Sequence, residues 1–269
     1  MSILDQVPSE AKCRSLLARA AFGARPYCPR CLRSGARRCE GRWFCPSCRR
    51  KFSLTSCTWM RGCRLPLRKV WLLLLLWQGR VPFGVAVSVA GVSAPTAARW
   101  FGLFRANVPP DAPEMGPEVE VDESFFGRRR HGRQAIVLGM LDRRTGRVAL
   151  RRAPTRGYED TDAFILDHAL GGSTVFTDSA QCYVGIPGFF GYRHAACNHS
   201  RFEFGPTNRI EATWSALKRF LRRTVGRPTC RDLDGALREF QARVNEPWMF
   251  ESPLAFLQYS LTPVPTACF

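Results

Sequence analysis

The stretch EVEVDESFF, residues 118–126, decides the fold. Val119 and Val121 alternate with Glu118, Glu120 and Asp122, so a strand here turns valines to one face and acids to the other. Five acids fall within residues 114–123, namely Glu114, Glu118, Glu120, Asp122 and Glu123, in a chain of formal net charge +18. Acids gathered on a strand repel one another unless a cation or basic neighbours offset them. A divalent metal is one such cation, and hard carboxylate oxygens suit Mg2+ or Mn2+. The competing reading is an exposed strand edge blunted by charge.

Downstream, residues 134–141 and 147–153 flank the turn Arg144-Thr145-Gly146 and read as a hairpin. Residues 160–170 read as a helix, 174–177 as a short buried strand and 191–196 as a further strand. Helices follow over 208–224 and 231–245. Three strands, a helix, two strands and then helices predict an α/β core of the ribonuclease-H type. Two more acids fall at element ends. Asp178 closes the run STVFTD, and an acid at the carboxyl end of a strand often lines a site in α/β folds, although it also serves as a helix N-cap. Glu211 opens a basic helix, and Asn208-x-x-Glu211 also reads as a capping box. A capping box leaves Lys218 unexplained. Seven residues are nearly two helical turns, so Glu211 and Lys218 share a stripe with Ser215 and Arg222, beside the apolar stripe Ile210, Trp214, Leu217 and Leu221.

Upstream, VPPDAPEMGP (108–117) holds four prolines and reads as a linker. Before it, helices are predicted over 67–78, 83–90 and 94–107, with a Gly91-Val92-Ser93 turn between the last two. That cadence fits a helix-turn-helix with Ser93 as a cap and Arg99 and Arg105 facing a groove or phosphates; a plain helical hairpin is the alternative. The apolar run VWLLLLLW (70–77) is too short to span a bilayer and reads as a buried helix.

Twelve cysteines are present, eight of them between Cys13 and Cys63. The N-terminus lacks a signal-peptide pattern, which points to a reducing compartment where clustered cysteines hold metal. Cys28-x-x-Cys31 and Cys45-x-x-Cys48, 13 residues apart, form two knuckles able to close a four-thiolate zinc site, with Cys39 as a competing ligand. The pI near 10.2 points to a polyanionic partner. The 36 Arg against 4 Lys reflect coding bias in part, which makes a lysine at 218 the more informative choice.

VEVDESFFGRRR, followed by VFTDSAQCY, HAACNHS and TNRIEATWSALKR, resembles the Merlin-type transposases and their bacterial insertion-sequence relatives of the ISXO-like group. The likeness runs from about Tyr27 to about Asn245, and the N-terminal zinc ribbon fits the same group. It implies that Asp122, Asp178 and Glu211 are DDE ligands for Mg2+ or Mn2+ on a ribonuclease-H-like fold, and that Lys218 contacts DNA near the element's end. Relatives carry a His before the Thr-Asn pair where Pro206 stands here, and some carry Asn as third ligand, which draws attention to Asn208. His194 and His199 match the pattern and read as structural histidines. The implied activity is metal-dependent cleavage at transposon ends and strand transfer. The implied partner is double-stranded DNA, both terminal inverted repeats and target, with Arg99, Arg105, Arg128, Arg129, Arg130, Lys218, Arg219 and Arg222 on phosphates. A homodimer or higher oligomer follows from the pairing of ends. No membrane association is expected; the location would be the bacterial cytoplasm and nucleoid, or a eukaryotic nucleus. A catalytically silent DNA-binding derivative and a structure-directed nuclease are the alternatives. The expected organisation is a lead and zinc ribbon over 1–63, a helical DNA-binding module over 64–110, the catalytic domain over 117–250 and a C-terminal tail over 251–269.

Overall fold

The computed structural model describes residues 3–56, 58–127, 134–178, 183, 186, 191–197, 207–224 and 230–261. The chain divides into two units: residues 1–109 with 247–269, and residues 110–246.

In the first unit, helix α1 (Glu10–Phe22) leads into a small antiparallel sheet of β1 (Arg37–Cys39), β2 (Arg42–Phe44) and β3 (Lys51–Phe52). Glu40 and Gly41 both take positive φ at the β1–β2 turn, the conformation a tight hairpin needs. Phe22 of α1 stacks edge-on against Tyr27, Trp43 and Phe52, which gives a sheet too short for its own core an apolar floor. Helices α2 (Leu67–Gln78), α3 (Phe83–Ala90) and α4 (Ala94–Ala106) follow. The apolar run in α2 is core: Val70, Trp71, Leu73, Leu74, Leu76 and Trp77 are all buried. Among the described residues no helix is long and apolar enough to cross a membrane. Gly91 holds the left-handed conformation between α3 and α4, and Ser93 accepts from Thr96 N to start α4.

The stretch read as a tail, 251–269, contains helix α8 (Pro253–Ser260), and this helix belongs to the first unit. Phe256 packs among Trp59, Trp77 and Phe104 with ring centroids 5.2–6.4 Å apart. Trp59 Nε1 donates to Ser260 O, and Gln78 Nε2 to Met249 O and Ser252 O. Local periodicity cannot reveal such closure, because the hydrogen-bonded partners lie more than 170 residues apart in sequence.

The second unit is a five-stranded sheet in the order β6-β5-β4-β7-β8, formed by β4 (Glu118–Phe126), β5 (Ala135–Asp142), β6 (Val148–Ala153), β7 (Thr174–Asp178) and β8 (Arg193–Cys197). The first three strands are antiparallel, while β7 and β8 run parallel to β4. Numbered within the unit, the order is 3-2-1-4-5, which is the ribonuclease-H topology. Helix α5 (Tyr158–His168) puts Phe164 and Ile165 against the valine face of β4. Helices α6 (Asn208–Thr224) and α7 (Cys230–Asn245) cover the other face through Ile210, Trp214, Leu217, Leu221, Leu237 and Phe240. Each such apolar side chain contributes about 1.5–3 kcal/mol when withdrawn from water. Strand β4 is therefore central and covered on both faces, which removes the exposed-edge reading of its acids. Helix α5 begins two residues earlier than residue 160 and ends two before 170. Gly157 caps it in extended backbone, and Ala169 leaves it to bridge Met115.

Candidate active site

Strand β4 presents Glu118, Glu120 and Asp122 on one face. Its parallel register with β7 matches Glu118 to Thr174 and Glu120 to Phe176, and two residues further along each strand lie Asp122 and Asp178. The two aspartates thus stand at the same level on neighbouring strands. Burial pushes the Asp122 carboxyl up to about 6, with the carboxylates of Glu123 and Asp178 adding to the rise and the Trp214 indole opposing it. Trp214 Nε1 donates to Asp122 Oδ2 at 2.8 Å.

That bond ties α6 to β4. The indole lies over Gly139, the residue paired with Asp122 across β5; a Cβ there would fall 2.5 Å from Trp214 Cη2. The first turn of α6 is held by the same strand: Glu120, only 1 % exposed, accepts from Arg209 N at 3.1 Å and Ile210 N at 2.9 Å. A buried carboxylate at a helix N-terminus satisfies orphan donors and complements the dipole. Sequence reading placed Glu120 on the acid face without assigning this role. Further along, Lys218 Nζ lies 5.9 Å from the Phe126 ring centroid. The helix therefore follows β4 from Glu120 through Asp122 to Phe126, with Glu211 and Lys218 on the shoulder of its buried stripe.

The three acids are brought to adjoining elements but not drawn together to ligand distance. Among the described residues, the one group of three or more metal-binding side chains within 4.8 Å of one another is Cys28, Cys31, Cys45 and Cys48. Glu123 is engaged elsewhere: Tyr183 Oη donates to it at 2.6 Å and Arg156 pairs with it. His194 Nε2 lies 2.8 Å from the Thr177 hydroxyl, and burial lowers its pKa. Asn208 is exposed at the start of α6. Lys218, Arg219 and Arg222 are exposed on the same helix. Arg99 is exposed and Arg105 half-buried on α4. Arg128, Arg129, Arg130, His199 and Pro206 lie outside the described residues. A groove of about 660 Å3 between β6 and α7 contains none of the three acids.

The cysteines form two equivalent knuckles. Cys28 N donates to Arg33 O and Cys45 N to Arg50 O, both at 2.9 Å, and Leu32 and Arg49, each just after the second cysteine, take positive φ. Sulfur atoms stand 3.7 Å apart for Cys28–Cys48 and 3.6 Å for Cys31–Cys45. A tetrahedron with bonds of about 2.3 Å has edges of about 3.8 Å, so the thiols match a four-coordinate soft cation. Cys39 lies outside the cluster.

A core of ribonuclease-H topology thus carries Asp122 and Asp178 on neighbouring strands. Residues 115–245 match the ISXO2-like transposase domain, a span that fills the second unit almost end to end. Over that span the chain is similar to DDE-type transposase domains of the insertion-sequence kind. No curated protein matches the chain. Among solved structures, the catalytic core of bovine immunodeficiency virus integrase is 14% identical, with a TM-score of 0.38 over 48% of this chain and 83% of that one. The HTLV-2 integrase catalytic core in complex with magnesium is 13% identical, with a TM-score of 0.36 over 51% and 89%. The integrase in a simian T-cell lymphotropic virus intasome is 13% identical, with a TM-score of 0.38 over 68% and 75%. At such scores the fold assignment rests on strand order, not on these likenesses.

Proposed function

We propose that this transposase cuts DNA at the ends of its own element and joins them to target DNA, with Asp122, Asp178 and Glu211 as the acids of the reaction. The observation that carries the reading is the alignment of Asp122 with Asp178 on adjacent parallel strands beneath a helix that brings Glu211 and Lys218. Acids on adjoining elements of a basic chain suit a hard divalent cation, Mg2+ or Mn2+, which these three carboxylates would hold once drawn together around it. When bound, such a cation lowers the pKa of water and neutralises charge on the transferring phosphate.

The chain's own residues supply placement. A water oxygen attacks phosphorus, the bond from phosphorus to the 3′ oxygen breaks, and the element keeps a 3′-hydroxyl while the flank keeps the phosphate. In the second step that hydroxyl attacks a target phosphate in the same sense, displacing another 3′ oxygen. Lys218, Arg219 and Arg222, exposed on one helix, offset phosphate charge along the strand. Zinc in the four-cysteine cluster would hold the ribbon.

End recognition is assigned to the first unit. By sequence it holds nineteen Lys and Arg against four Asp and Glu, so +15 of the chain's +18 resides there. A groove of about 460 Å3 between residues 59–65 and α4 is lined by Arg61, Arg64 and Arg99 with no acid among its walls. Synapsis of two ends calls for a dimer or larger assembly.

The test is to incubate the protein with Mg2+ and labelled DNA carrying the flanking ends of its own gene, beside Asp178→Ala. Metal-dependent nicking at the ends that disappears in the variant supports the reading. Binding without cleavage in Mg2+ and Mn2+ overturns it in favour of a silent DNA-binding protein, and cleavage of branched DNA without end joining favours a structure-directed nuclease.

A further inference from the structure

Arg143 and Glu120 form a connection that touches every element carrying an acid of the trio. Glu120 precedes Asp122 by two residues on the same face of β4, and its carboxylate holds the N–H groups of Arg209 and Ile210, the two residues before Glu211. Arg143, in the turn after β5, donates from Nε to Glu120 Oε1 at 3.0 Å. Its guanidinium lies 3.6 Å from the ring centroid of Phe176, the β7 residue paired with Glu120 and two residues before Asp178. Arg143 N donates to Glu118 O at 3.0 Å, and its own carbonyl receives the Arg209 guanidinium. One arginine thus binds β4, β7 and the head of α6, one step below the three acids.

We propose that the Arg143–Glu120 pair positions the acid trio: it fixes the register in which Asp122, Asp178 and Glu211 meet metal and DNA, without itself touching either. The proposal rests on the trio being the acids of the reaction. The pairing is chemically suited to the role. A planar guanidinium meets a carboxylate edge-on while stacking on an aromatic face, a combination lysine cannot reproduce. Glu120 is 1 % exposed, so its charge is held in place by Arg143 and the helix N–H groups, with little solvent to substitute for them. The trio sits on three separate elements, β4, β7 and α6.

The test uses full-length protein and element-end DNA, with Mg2+ titrated against nicking. Glu120→Gln combined with Arg143→Met removes both charges at similar volume, while Arg143→Lys keeps the charge and loses the planar contact. Both variants are expected to bind end DNA like wild type. In the double variant the maximal nicking rate falls about tenfold or more and the half-saturating Mg2+ rises, because misplacement by an ångström is costly in rate. Arg143→Lys is expected to fall between it and wild type. A double variant with the wild-type rate and Mg2+ midpoint overturns the proposal. Should the double variant fail to melt cooperatively, Arg143→Lys decides by the same two numbers, and wild-type values overturn it. Asp178→Ala run alongside separates the two ideas. If it nicks normally, the trio reading fails; if it is silent while the Arg143 variants behave as wild type, only the positioning role fails.

Discussion

At the scale of single residues, Asp122, one of the acids proposed for the reaction, carries a cost in stability. Its carboxyl is raised to about 6 because burial, with help from Glu123 and Asp178, disfavours the charge. The sign follows from linkage. The unfolded chain releases this proton near pH 4, whereas the fold retains it to about 6, so stability falls with rising pH across that window and the penalty persists above it. Asp122→Asn keeps an acceptor for the Trp214 indole and removes the charge. Its expected effect, in chelator at pH 7.5, is a gain of about 1–3 kcal/mol, while end cleavage disappears. Adding Mg2+ should raise the melting temperature of wild type and leave the variant unmoved, since a ligand stabilises only the state that binds it. A variant that melts lower than wild type in chelator would sink the account. Gly139 makes the complementary case. Its missing Cβ is the space occupied by the indole, so Gly139→Ala drives methyl into ring and should cost about 1–3 kcal/mol by overpacking. Denaturant melts check the cost. Cleavage should drop more than end-DNA affinity, because the displaced helix carries Glu211 whereas end recognition is assigned to the first unit's arginines.

At the scale of elements, the same device appears in both units: an acid from one element receives the first N–H groups of a helix on another. Glu120 serves α6, and Glu10 of α1 accepts from Leu67 and Arg68 at the start of α2, whose N-cap is Pro66 with no side-chain bond. These contacts separate what was legible in sequence from what was not. Helices α2, α3 and α6 occupy the spans expected from 3.6-residue periodicity and turn residues, because both are local signals. Glu120 looked like one more member of a charged face, since nothing within ten residues of it marks a helix cap drawn from residue 209. Strands β1 to β3 were missed for another reason: two or three residues carry no periodicity, and cysteine knuckles and Phe22 hold them instead. Asp122 and Asp178 drew notice as strand-borne acids, but only the parallel register shows them level with one another. The ribbon carries its own prediction. Elemental analysis should find one zinc per chain, and a strong chelator or Cys45→Ser should loosen the ribbon and weaken end binding, because metal binding is folding energy for so small a sheet. Full zinc-free affinity would contradict it.

At the scale of the whole molecule, the excess positive charge and the acids proposed for the reaction fall in different units. The first unit carries +15, the second the acids and only +3, so affinity and chemistry are predicted to come apart experimentally. Neutralised phosphates release counterions, and the logarithm of the binding constant should fall linearly with the logarithm of salt, with a slope of about −0.9 per phosphate contacted. Alanine at Arg64 and Arg99, which line the groove beside α4, should each make that slope shallower by about one unit. Alanine at Lys218 should change it no more than that and chiefly slow cleavage. The chain's closure sharpens the test. Helix α8 fills the aromatic cluster of Trp59, Trp77 and Phe104, so a chain ending at residue 246 strips the first unit of Phe256 and of the carbonyls that Gln78 and Trp59 use. Losing one buried Phe alone costs about 3–5 kcal/mol. Truncation at 246 should therefore abolish tight end binding although it removes no basic residue and leaves net charge higher, not lower, by one through loss of Glu251. If electrostatics alone carried affinity, the truncated chain would bind at least as well as the whole. Loss of binding with the sheet of residues 110–246 still melting cooperatively would show that the arginines act through the shape that α8 completes.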